Sequence, residues 1–79
     1  MSSLILRIYE KRGHNEKINP AEFALEEGFT LTGIFGLTDY GQYYFDVKPN
    51  GDVDFKRIRK IMEKNYSTIS SIVQYKHNK

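Results

Sequence analysis

Seventy-nine residues make one domain, and the absence of cysteine excludes a disulfide framework, a thiolate nucleophile and a cysteine metal site. No apolar run approaches the roughly 20 residues of a membrane-spanning helix, the start lacks the basic and apolar pattern of a secretion signal, and a net charge of +2 is too small to demand a nucleic-acid partner. The expectation is a cytoplasmic single domain over residues 1–79 with a thin core, since area scaling at this size buries about 63% of the unfolded surface.

The charge is unevenly spread. Residues 1–42 hold four basic and six acidic side chains and residues 43–79 hold eight and four, so the halves carry −2 and +4. Such polarity suits an acidic partner, or the pairing of unlike halves in a dimer. Isoleucine, asparagine, lysine and tyrosine make up 27 of the 79 residues, and alanine occurs only at Ala21 and Ala24. This is the bias of an AT-rich genome, such as that of a virus, a phage or a low-GC microbe.

Residues 4–9 (LILRIY) form a short apolar run of strand formers, with Leu4, Leu6 and Ile8 on one face and Ile5, Arg7 and Tyr9 on the other. Apolar residues on both faces favour a central place in a sheet. Residues 10–17 (EKRGHNEK) are polar, broken by Gly13 and expected to be the most mobile loop. Asn19, Pro20 and Glu22 then supply an N-cap, a first-turn proline and a capping-box acid, which start a helix that Gly28 ends after two turns. Its inward residues are Phe23 and Ala24.

Residues 29–38 (FTLTGIFGLT) read as a second strand with Leu31, Phe35 and Leu37 on one face, and with Gly33 and Gly36 marking bulges or close approaches. Residues 39–42 make a hairpin turn to a third strand, in which Tyr43, Phe45 and Val47 alternate with Tyr44, Asp46 and Lys48. Pro49, Asn50 and Gly51 break that strand, and Asp52 or Asp54 caps a second helix. On a wheel with Phe55 at zero, Ile58, Ile61, Met62 and Tyr66 share one arc of roughly 140°, opposite Lys56, Arg57, Lys60 and Lys64. Residues 67–76 are expected to form a fourth strand, despite blurred alternation, and residues 77–79 a frayed tail.

Strand, helix, strand, strand, helix, strand is the order of the ferredoxin-like split βαββαβ, an α+β fold with two helices on one face of a four-stranded antiparallel sheet. The competing reading keeps the second helix running through the last segment and leaves a three-stranded sheet.

No constellation in the chain carries catalysis, and no motif calls for a cofactor. His14 and His77 are isolated, in a loop and a tail, without spacing for a metal. Ser67, Ser70 and Ser71 have no neighbouring base, and the glycines match no phosphate-binding loop. The expected function is therefore that of a non-enzymatic module, one that binds another protein through the uncovered sheet face with Ile5, Tyr9, Ile34, Tyr44 and Ile72 as the patch. A homodimer through that face would extend the thin core, and a viral or phage regulator that inhibits a host component is one concrete form.

The alternative is a single-stranded nucleic-acid binder in which Tyr44 stacks on bases while Lys56, Arg57, Lys60 and Lys64 meet phosphates. Against the aromatic octapeptide of sheet-face RNA readers, residues 40–47 (YGQYYFDV) match at Gly41, with Tyr44 an aromatic substitute and Phe45 an apolar one. Tyr40, Gln42 and Val47 depart from the pattern.

Overall fold

The computed structural model describes residues 3–12 and 17–77. The loop residues 13–16, including His14, and the tail residues 78–79 lie outside the described residues. Six elements follow in order: β1 (Ser3–Glu10), α1 (Pro20–Glu27), β2 (Phe29–Leu37), β3 (Tyr43–Pro49), α2 (Phe55–Lys64) and β4 (Ile69–His77). All strand pairs are antiparallel in the order β2-β3-β1-β4, so β1 is central as its two-sided apolar pattern requires, and the last segment is a strand. This is the ferredoxin-like order.

The helix ends are set by their caps. Asn19 Oδ1 accepts from the Ala21 and Glu22 amides at 3.1 and 3.3 Å, and Gly28, at φ 76°, ends α1 in the left-handed conformation with its N–H donating to Ala24 O. Asp54 rather than Asp52 caps α2, accepting from the Arg57 amide at 2.9 Å. The helix stops at Lys64 because Asn65 turns the chain: its side chain donates back to Ile61 O, and its own carbonyl accepts from Thr68 and Ile69.

The core lies between the helices and one face of the sheet. Leu6, Ile8, Phe29, Phe45, Val47 and Ile69 meet Phe23 and Ala24 of α1 and Ile61 of α2. Phe23 sits edge-on to Phe45 at 5.6 Å and tilted against Phe29 at 6.1 Å. Each large side chain buried here contributes about 1.5–3 kcal/mol.

Three expectations about facing are corrected. Ile72 pairs with Ile8 and packs against the core, on the helix side of the sheet and not the open side. The register shift between Tyr9 and Glu10 absorbs one residue of β4, which brings Ile69 and Ile72, three apart, to the same face. Phe55, the first residue of α2, is 81% exposed, and Tyr66 lies beyond the helix end, also exposed. The buried stripe of α2 is thus centred on Ile58 and Ile61 rather than on Phe55. Arg57 and Lys64 do not stand free beside Lys56 and Lys60, because both reach the end of α1: half-buried Arg57 donates through Nη2 to Glu27 O at 2.6 Å, and Lys64, still exposed, donates through Nζ to Glu27 Oε2 at 3.1 Å.

Candidate site on the open sheet face

The face of the sheet away from the helices is built by the residues that alternate with the core. On β1 these are Ile5, Arg7 and Tyr9, on β3 Tyr44, Asp46 and Lys48, and on β4 Ser71 and Val73, which pair with Tyr9 and Arg7. Arg7 and Asp46 are directly opposite each other in the β1–β3 ladder. Their side chains make a two-pronged ion pair, Nε to Oδ1 at 2.7 Å and Nη2 to Oδ2 at 2.9 Å. Asp46 is 1% exposed, so the carboxylate sits out of water and depends on the guanidinium fork that matches its geometry.

Tyr44 completes the arrangement. The Arg7 guanidinium carbon lies 4.3 Å from the centroid of the Tyr44 ring, and the Tyr9 ring stands 5.6 Å from it at 51°. On the other flank Tyr44 crosses Gly36, its partner in the β2–β3 ladder, so closely that a Cβ at residue 36 would overlap the ring. Gly36 thus supplies the close approach that the sequence suggested, and Gly33, at φ 89°, lies in the register shift between Leu31 and Phe35. The centre of the open face is the Tyr44 ring, with the Arg7 guanidinium and the tilted Tyr9 ring against it and Gly36 beneath its far end, and Arg7 is in turn held by the buried Asp46 carboxylate.

Of the five patch residues expected from sequence, Tyr9 and Tyr44 are brought together. Ile5 lies on the same face but is buried, apart from the main core cluster. Ile34 is half-exposed in the irregular stretch of β2, on the Tyr44 side by its alternation with Gly36. Ile72 belongs to the opposite face, and Val73 holds the exposed position beside Arg7. Arg7 and Asp46 were missing from the expected site. Their signal was available: opposite charges at mid-strand open-face positions of two predicted strands.

The nucleic-acid set is not brought together. Tyr44 belongs to the open face, whereas Lys56, Arg57, Lys60 and Lys64 all lie on α2, across the sheet. Within that set, Arg57 is half-buried, also donating to Asp52 O at 3.1 Å and lying 5.2 Å from the Phe29 ring. The Glu27 carboxylate, by its hydrogen bond and then its charge, raises the pKa of Lys64. Among the described residues no group of three or more histidines or carboxylates is placed to hold a metal ion. Comparison with protein-family models, curated proteins and solved structures gives no match.

Proposed function

We propose that this domain is a non-enzymatic module that binds another protein through its open sheet face, as a regulator or inhibitor of that partner. The observation that carries the reading is the Arg7, Tyr9 and Tyr44 stack. Tyrosine and arginine dominate the energetics of protein interfaces, and here their rotamers are held before binding by Asp46 and Gly36, so little side-chain entropy is left to lose. Val73 and Ile34 flank the stack with exposed apolar surface.

The same observation disfavours the nucleic-acid reading. A base needs a free ring face, and the Tyr44 ring is already in contact with Arg7, Tyr9 and Gly36. A single strand reaching both Tyr44 and the basic residues of α2 would also have to pass around the sheet.

The test is affinity capture from the native host with the wild-type chain, with Tyr9→Ala and Val73→Asp on the open face, and with a Lys56→Ala/Lys60→Ala variant on the helices. The reading predicts a captured protein that survives nuclease treatment, is lost with the two open-face variants and is kept by the helix variant. Capture lost only with the helix variant, or abolished by nuclease, contradicts it.

A further inference from the structure

We infer that the second half of β2 pairs with the same segment of a second copy of this chain, antiparallel about a two-fold axis at Gly36. The strand lies at the edge of the sheet. The Thr38 amide donates to Gln42 O, so Thr38 and its alternate, Gly36, turn their backbone groups toward β3, while those of Phe35 and Leu37 point outward from the sheet. These outward residues lie symmetrically about Gly36. Under a two-fold axis there, Phe35 faces Leu37 of the second copy and Leu37 faces its Phe35, each pair exchanging two hydrogen bonds. Gly36 meets its own copy at the closely spaced position with no side chain of its own, and the end of the Tyr44 ring that crosses Gly36 on the open face meets its symmetry mate there.

The side chains fit the same occupant. Phe35 and Leu37 are each 57% exposed, on the helix side of the sheet but beyond the helices, and Ile34 on the opposite side is half-exposed. Edge strands are ordinarily blunted by charges or proline, yet no charged residue occurs from Gly28 to Thr38. Self-pairing therefore brings no like charges together, and each segment supplies the apolar surface that the other exposes. The opposite edge, β4, carries Ser70, Ser71 and Gln74, so it is not an equivalent partner. Because the two-fold contact uses the same segment from both copies, it closes as a dimer rather than propagating as a filament. A contact of one short strand falls below the roughly 1,200 Å² of a stable interface, so the dimer is weak and concentration-dependent.

The experiment is sedimentation equilibrium from about 10 μM to about 1 mM, a range that brackets weak association. The wild type is expected to rise toward twice the chain mass. Leu37→Lys and Phe35→Pro should stay monomeric, the latter by removing an outward donor while sparing the β3 ladder; circular dichroism verifies that both remain folded. The Phe35→Lys/Leu37→Asp double variant should dimerise again, since each new cation faces a new anion across the axis. Val73→Asp, on the open face, should dimerise as wild type does, which separates this contact from the open-face function. A monomeric wild type at the highest concentration overturns the inference, as do folded single variants that still dimerise or a dimer lost with Val73→Asp.

Discussion

Tyr44 lies across Gly36 so closely that residue 36 has no room for a side chain. The position is an extended one in β2, so glycine is required there by its neighbour and not by its own backbone angles. Gly36→Ala should cost about 1–3 kcal/mol, the usual range for overpacking, and lower the melting temperature by roughly 4–8 °C per kcal/mol in a domain this small. In a Tyr44→Ala background the same change should cost much less. Thermal melts of the four proteins in this cycle check the coupling; equal losses in both backgrounds would break it.

The Arg7–Asp46 pair makes a second prediction. Arg7→Met takes the two-pronged guanidinium from a carboxylate in a water-poor site, so it should cost on the order of 3 kcal/mol, the low end for a buried pair because Arg7 is 27% exposed. Asp46→Asn should cost less, since it keeps an acceptor for the guanidinium and buries no charge of its own. The double variant Arg7→Met/Asp46→Leu should recover most of the loss, as apolar replacements of such pairs commonly do. Urea denaturation of the three variants tests this ordering.

The cations of α2 should divide by what they touch. Arg57→Ala should destabilise by about 1–2 kcal/mol, because it breaks the bond to Glu27 O and the packing on Phe29. Lys56→Ala and Lys60→Ala should stay within about 0.5 kcal/mol of wild type, as exposed surface positions do. Chemical denaturation distinguishes the two groups.

Both helix caps should be measurable. Asn19→Ala removes the acceptor for two α1 amides and Asp54→Ala the acceptor for one α2 amide, and each should cost about 1 kcal/mol. Loss of helical signal in the unaltered helix would indicate that α1 and α2 fold as one unit.

Much of this fold could be read from local chemistry. Asn19-Pro20 and Gly28 delimit α1, Pro49-Asn50-Gly51 ends β3, and strict alternation places Phe45 and Val47 inside. What could not be read depends on residues distant in sequence. The β4 register turns on an irregularity at Tyr9 and Glu10 in another strand, so the side taken by Ile72 has no local signal. The rotation of α2 places Ile58 and Ile61 innermost, brings Arg57 and Lys64 to the end of α1 and leaves Phe55 in solvent, an arrangement that joins residues 30 or more apart in the chain. Tyr9 and Tyr44 were identifiable as a pair because both alternate with core residues of strands expected to be neighbours. The ion pair that fixes them joins residues 39 apart in the chain.

The central claim is that the open sheet face is the working side of the molecule, and hydroxyl-radical footprinting of the free chain against its captured complex tests it most directly. Tyr9, Tyr44 and Val73 should lose reactivity in the complex while Leu25, Phe55 and Tyr66, all exposed on the helix side or at its margin, keep theirs. Protection of Leu25 and Phe55 with Tyr9, Tyr44 and Val73 unchanged would contradict the claim.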